Sequence, residues 1–341
     1  MTPAAIRAGD EAAFALLVER HHRALRAHCY RMLGSFADAE DTLQETWLRA
    51  WRGRHTFRGE RGVRPWLYRI ATRACLDALT GPGPRRSPVP AVNGTGAPAH
   101  SPRAEVTWLE PYPDELLDPP APEEERPEAL ALARETIELT FIAALQHLPP
   151  RQRAVLILRD VADRSAAETA DIMGTSVTSV KSALRRAREG LRDHLPARRS
   201  EWRAGPPADR WEREVLRRYL DASRRADLST LAALLAEDIR QCMPPDHLVF
   251  EGREAVLDLW RPVLTGDGAW GEWWCEAIAV NRQPAAINRV RRGTESAWTP
   301  VNIDVLRVEG GLITEIVTFT PSVLGTFRRA ARAASPEWHV M

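Results

Sequence analysis

Residues 165–192, SAAETADIMGTSVTSVKSALRRAREGLR, constrain the fold of this chain more than any other stretch. They read as a short helix, a break at Gly174-Thr175-Ser176 and a longer helix. Val180, Leu184, Ala187 and Leu191 recur at helical spacing and form one apolar stripe. The remaining faces carry Thr178, Ser179, Ser182, Arg185 and Arg186, flanked by Lys181 and Arg188. Small hydroxyl residues at a helix start let the backbone come close to a duplex, and arginines behind them reach guanine edges or phosphates. A basic amphipathic helix on a bundle surface has a similar composition. The break decides between the two, because Gly174 sits where a helix-turn-helix needs its tight turn. The segment is expected to read DNA.

Charge points the same way. The chain is nearly neutral overall at +1, yet residues 181–203 hold eight bases against three acids, while 105–128 hold nine acids against one arginine. The basic block suits phosphate, and the acidic one suits a solvated linker or a mask over a basic surface. Lys181 is the only lysine. Cys29, Cys75, Cys242 and Cys275 are scattered, without a Cys-x-x-Cys pair, so buried reduced thiols are expected, with no disulfide framework, metal site or cofactor. No signal peptide or membrane-length apolar run is read, so the expected location is cytoplasmic, with no membrane partner. A length of 341 residues allows two or three domains.

The first 80 residues read as helices. A start at Gly9-Asp10 is followed by Phe14, Leu17, Val18, His21 and Leu25, with the pattern running to Leu33. Gly34-Ser35 breaks it, and Ser35 can cap a helix over 36–52, FADAEDTLQETWLRAWR. Acids fill its first turns, where the helix dipole favours them. Pro65 fits the first turn of a third helix, PWLYRIATRACLDAL, in which aromatics and bases interleave. Rings stack on unpaired bases while arginines hold phosphates, although Trp66 and Ile70 also suit a core.

DAEDTLQETWLRAWR followed by RPWLYRIATRACLDAL resembles region 2 of sigma-70-family initiation factors of the extracytoplasmic-function group. LPPRQRAVLILRDVADRSAAETADIMGTSVTSVKSALRRAREGLR, residues 148–192, resembles their region 4. The resemblance implies that core RNA polymerase docks on Asp38, Asp41, Gln44, Glu45, Trp47 and Leu48. It places reading and melting of the promoter −10 element on Arg64, Trp66, Tyr68, Arg69, Thr72 and Arg73. The −35 element falls to Thr178, Ser179, Lys181, Ser182, Arg185, Arg186 and Arg188.

Residues 81–127 read as a Pro-rich acidic connector, with twelve of the 26 prolines in this region and too little apolar surface to offset the entropy of ordering. One apolar island, VTWLEPYPDELL, interrupts it. A short helix packed on region 2 would shelter it. The preferred reading is that Trp108, Leu109, Tyr112 and Leu116 dock on the C-terminal third, because the island resembles the tryptophan-leucine-proline-rich segment of sigma factors with a fused extension.

After Gly205-Pro206-Pro207 two helix patterns (211–225, 228–236) and a helix at 253–264 precede strand-like runs at 272–281, 285–291, 301–308 and 312–319. Gly310-Gly311 marks a hairpin. This order resembles the SnoaL-like domains of the nuclear-transport-factor superfamily, α+β cones whose interior holds an Asp or His in the enzymes among them. His247, His339, Asp246 and Asp304 are the candidates here, with no telling spacing, so no catalytic residue is assigned and a binding module for a small-molecule ligand is favoured over an enzyme.

The expected architecture is therefore multi-domain: two all-α domains, a region 2 bundle (1–80) and a region 4 helix-turn-helix (128–200), followed by an α+β cone-shaped SnoaL-like domain (209–330) and a tail (331–341). The expected function is that of an alternative sigma factor with promoter DNA and core polymerase as partners, regulated in cis by its last domain. The alternatives are a helix-turn-helix activator with a ligand-binding domain, which would need no acidic polymerase-docking helix, and a cyclase or isomerase with an accessory DNA domain.

Overall fold

The computed structural model describes residues 3–57, 62–81, 87–99, 101–117, 136–195 and 209–321. The expected tail, with His339, lies outside them. The chain divides into two compact units, Met1–Ser87 with Leu116–Trp202, and Pro88–Glu115 with Arg203–Met341. This division differs from the expected one in two respects: both helical segments share a unit, and most of the described part of the expected connector belongs to the C-terminal unit.

The first unit is helical. α1 spans Pro3–Ala8, α2 Glu11–Leu33, α3 Phe36–Arg52 and α4 Val63–Thr80. Asp10 starts α2 by accepting from the Ala13 amide, and Gly34 ends it at φ 73°, where only glycine avoids a steric penalty. Ser35 caps α3 through the Asp38 amide. Leu17, Leu25, Cys29, Leu43, Leu67, Ala71 and Cys75 are buried in this part of the unit.

The second half of the unit holds α6 (Leu139–Gln146), α7 (Pro150–Leu156, continued by a wider turn over Ile157–Val161), α8 (Ala166–Met173) and α9 (Val177–His194); α5 is the four-residue Pro102–Glu105 of the other unit. All eight residues of α6 are buried. Ser165 and Glu168 form a reciprocal capping box at the start of α8. Gly174 ends α8 at φ 61°, and Ser176 caps α9. Val180, Leu184, Ala187 and Leu191 are the buried residues of α9, so its stripe is the packed face.

Arg153 joins the two halves. It is 3 % exposed, and its guanidinium donates to the carbonyls of Met32 (2.5 Å), Gln146 (2.9 Å) and Leu148 (3.1 Å) and to Gln146 Oε1 (2.6 Å). No carboxylate among the described residues neutralises it. The carbonyls at the ends of α2 and α6 supply the negative ends of two helix dipoles instead, although burial still pulls its pKa down to about 9.

The second unit is a mixed eight-stranded sheet of order β2-β1-β4-β3-β8-β7-β6-β5, with β1 at Ala91–Asn93 and β2 at Pro98–Ala99. Its main strands are β3 (Leu235–Cys242), β4 (Leu248–Glu251), β5 (Glu272–Val280), β6 (Gln283–Arg291), β7 (Thr299–Glu309) and β8 (Leu312–Phe319). Helices α10 (Asp209–Arg224), α11 (Leu228–Leu234) and α12 (Arg253–Leu264) complete it. Val215, Tyr219, Leu231, Val256, Leu306 and Ile316 belong to its core. Two hairpins close on residues in the left-handed region, Asn281-Arg282 (φ 54° and 55°) and Gly310-Gly311 (φ 59° and 82°).

The connector expectation needs correction here. β1 (Ala91–Asn93) and β2 (Pro98–Ala99) pair with each other, and β1 runs parallel to β4 at the sheet edge. α5 follows, and its Arg103 forms a buried ion pair with Glu315 of β8. A Pro-rich run has little core of its own, but it can complete another unit's sheet, which supplies both the apolar cover and the backbone partners.

Candidate functional site

The exposed surface of α9 carries Thr178, Ser179, Lys181, Arg185, Arg186 and Arg188, with Ser182 half-buried. Arg185 pairs with Glu189 at 2.9 Å, and Arg186 donates to Ser182 Oγ at 2.7 Å. Both contacts are one helical turn long and exposed, so they hold the side chains loosely. Arg188 differs. It makes a two-pronged pair with Asp160 (2.7 and 2.8 Å), which fastens α9 to the turn after α7 and raises the arginine's pKa through that hydrogen bond.

On α3, Asp41, Gln44 and Leu48 are exposed at i, i+3 and i+7, a single stripe on the outer face. Leu48 is 50 % exposed, unusual for a leucine on a packed helix. Glu45 is half-buried and engaged by Arg49 (2.7 Å), which also reaches Asp77 (2.6 Å). Asp38 is half-buried in the first turn. Trp47 belongs more to packing than to the surface. Its ring stacks on His22, its indole N–H lies 3.3 Å from His22 Nδ1, and Phe14 meets its edge.

The α4 residues divide sharply. Arg64, Arg69 and Arg73 are exposed, and Trp66 is half-buried against Phe57 (5.1 Å between ring centres). Tyr68 and Thr72, expected at the DNA, are buried in this structure. Thr72 Oγ1 is 3.0 Å from His28 Nε2, and the same histidine meets the Tyr68 ring edge-on at 5.0 Å. Burial drives His28 down to a pKa of about 3, so the pair sits in neutral, dry surroundings. Arg164, from the turn before α8, stands 5.3 Å over the Tyr68 ring, and Arg69 reaches Asp171 of α8 at 2.7 Å. The helix-turn-helix half therefore packs on the face of α4 that holds these residues.

The apolar island lies partly within the C-terminal unit. Leu109 and Tyr112 are buried and Trp108 half-buried, whereas Leu116, also buried, is grouped with the helical unit. Tyr112 N–H donates to Asn281 Oδ1 (2.8 Å), Asn281 N–H returns to the Tyr112 carbonyl (2.9 Å), and Arg282 N–H donates to Asp114 Oδ1 (2.8 Å). These bonds fasten the island to the β5–β6 turn, whose left-handed residues leave their amides free for it. Nothing in the pattern around Asn281 marks it as a contact residue. The -Asn-Arg- pair between two strand patterns was its only trace in the sequence.

Of the acid and base candidates, Asp246 and His247 are exposed on the loop before β4. Asp304 alone is inside the sheet, 5 % exposed, accepting from Tyr219 Oη (2.9 Å), Asn288 Nδ2 (2.5 Å) and Thr318 Oγ1 (2.7 Å). Burial pushes its pKa up against the pull of these three donors. All four cysteines are buried and unpaired as disulfides. No cluster of metal-ligating side chains exists among the described residues, nor does any described helix have the length and apolarity to cross a membrane.

Comparison with known proteins gives this arrangement its class. Residues 17–81 match Sigma-70 region 2, 139–191 match Sigma-70 region 4, and 216–316 match a SnoaL-like domain. That combination is a sigma factor with a fused α+β domain. The ECF RNA polymerase sigma factor SigG of Mycobacterium tuberculosis is 39 % identical over 328 residues, covering 94 % of this chain and 84 % of that protein. SigW of Bacillus subtilis, another ECF sigma factor, is 30 % identical over 190 residues, which span 56 % of this chain and 92 % of SigW. The fold follows the crystal structure of the M. tuberculosis ECF sigma factor SigJ, with a TM-score of 0.56 over 93 % of this chain and 99 % of that one, at 22 % identity. The chain belongs to the ECF RNA polymerase sigma factors.

Proposed function

We propose that this alternative sigma factor docks core RNA polymerase on the Asp41–Gln44–Leu48 stripe of α3, reads the −35 element with α9 and the −10 element with α4, and is regulated in cis by its C-terminal unit. The protein works in the cytoplasm and carries out no reaction of its own. One observation supports regulation in cis above the others. The chain between the two readers is built into the sheet of the C-terminal unit through β1, β2 and the Tyr112–Asn281 bonds. A tether held in a sheet has less reach than a free one, and the two readers must meet promoter elements at a set separation. Holding the tether therefore selects promoter spacing without touching either reader.

Run-off transcription with core polymerase tests this reading, using templates whose −10 to −35 spacing is varied stepwise. The parent chain is expected to work over a narrow range of spacings. Leu109→Ala with Tyr112→Ala, which removes two buried side chains from the island, is expected to broaden that range. The same spacing profile for both proteins would remove the tether from regulation, and loss of all transcripts from the parent would remove the sigma reading itself.

A further inference from the structure

The SnoaL-like unit encloses a cavity of about 550 Å³, within the range of small-molecule sites. Tyr219, Trp260, Trp270 and Trp273 contribute to its lining, together with Gln241, Asn288 and Asp304. The polar groups form one chain of hydrogen bonds with a fixed direction. Asn288 Nδ2 donates to Asp304 Oδ2 and to Asn302 Oδ1 (2.7 Å), both acceptors only, so its amide orientation is settled. Thr318 gives its one proton to Asp304, so Gln241 must meet it with Nε2 (2.9 Å).

The leftovers follow from that direction. Asn288 Oδ1 and Gln241 Oε1 are buried acceptors with no partner among the described residues, on side chains 4 % and 3 % exposed. Asp304 is buried with no basic side chain paired to it among the described residues. Buried acceptors and an uncompensated carboxylate each carry a desolvation cost that a partner would relieve. Among the described lining residues, Trp273 Nε1 is the one buried donor left without a partner. Aromatic faces complete the lining, and the Trp270 and Trp273 rings stack at 6.0 Å. The one base in the lining, Arg292, is exposed and rests 5.7 Å over Trp270, so solvent screens it.

We propose that this cavity binds a small apolar molecule carrying a protonated amine, with the ammonium drawn to the Asp304 carboxylate and its unsatisfied acceptor neighbours and the apolar body lying among the tryptophans. An ammonium has three donors and no acceptor, which matches what the cavity lacks. Tryptophan faces add cation–π attraction. An anion meets the buried Asp304 carboxylate, with the exposed Arg292 as the one cation among the lining residues.

Calorimetric titration of the full chain with three probes on one skeleton, phenylbutylamine, phenylbutanol and phenylbutyrate, tests the assignment. The amine is expected to bind at least about tenfold more tightly than the alcohol, a step of about 1.4 kcal/mol, and the acid not at all. Asp304→Asn is expected to abolish the preference for amine over alcohol. Equal binding of amine and alcohol, preference for the acid, binding of none of the three, or an unchanged preference in Asp304→Asn would each overturn the proposal. If Asp304→Asn fails to fold, the ranking of probes by the parent chain decides alone.

Discussion

The Arg69 guanidinium of α4 and the Asp171 carboxylate of α8 stand 2.7 Å apart, linking a helix of sigma region 2 to the first helix of the region 4 helix-turn-helix. The pair is half-exposed, so its own contribution is roughly 0–1 kcal/mol. Its position gives it meaning. It lies on the side of α4 where Arg164 covers Tyr68, so the region 4 half closes over part of this region 2 helix.

Asp171→Arg sets two guanidiniums against each other and is expected to loosen this closure. Amide hydrogen exchange along α4 is predicted to quicken severalfold in the free protein. Adding Arg69→Asp restores attraction and is expected to slow exchange again. Parental exchange in the single variant would mean that the pair contributes nothing to closure.

Arg185→Ala and Arg186→Ala are each expected to weaken promoter binding by roughly fivefold to 150-fold, the equivalent of about 1–3 kcal/mol for an arginine–guanine pair. Both side chains are exposed and bond to Glu189 and Ser182 on the same helix, so circular dichroism and melting are expected to be unchanged. Binding must be compared at one salt concentration. Both variants within about twofold of the parent would mean that another face of α9 meets DNA.

Asp41→Lys is expected to abolish capture of core RNA polymerase while leaving helicity intact, because it reverses one charge in an exposed stripe. Glu45→Lys is expected to do the same, but it also removes the contact to Arg49 and is the less clean variant. Pull-down of polymerase by Asp41→Lys at parental yield would reassign the docking face.

Stability is expected to fall as pH drops below about 6.5. His28 is held neutral by burial down to about 3 and His22 down to about 4, whereas both protonate near 6.5 once unfolded. The unfolded chain then binds protons that the folded chain refuses, so acid favours unfolding. The stability is complete above about 6.5 and declines towards the folded values. His28 alone accounts for about 2 kcal/mol by pH 5. Melting temperatures from pH 7.5 to 5 are expected to fall less steeply for His28→Asn, and an equal slope would place the sensitivity elsewhere.

The helices were legible because their signals are local. Val180, Leu184, Ala187 and Leu191 mark a buried face by spacing alone, and Ser35, Gly34 and Gly174 mark ends by what their side chains or φ angles allow. β1 and β2 had no such signal. Three and two residues are too short to show a period, and β1 finds its partner more than 150 residues away at Leu248. The family resemblance places Tyr68 and Thr72 at the DNA, and nothing nearby in the sequence announces that His28 covers them. Arg153 reads as an ordinary surface arginine near a helix start, yet the Met32 carbonyl it holds lies 121 residues earlier. Asn288, Asn302 and Asp304 did leave a faint mark. β6 pairs Asn288 with Asn302, and β7 carries Asp304 two residues further on the same face.

Because β1 pairs with Leu248 and Val249, the edge of the sheet cannot close until the chain has been made well past regions 2 and 4. The nascent protein therefore passes through an interval in which region 2 and region 4 exist and the segment joining them has no sheet to enter. Such late, long-range pairing is the slow kind of contact to form. A message cut short, or a chain clipped after residue 195, leaves regions 2 and 4 joined by a segment that never gains its sheet. On the proposed reading, the hold on the joining segment thus depends on residues made only after region 4.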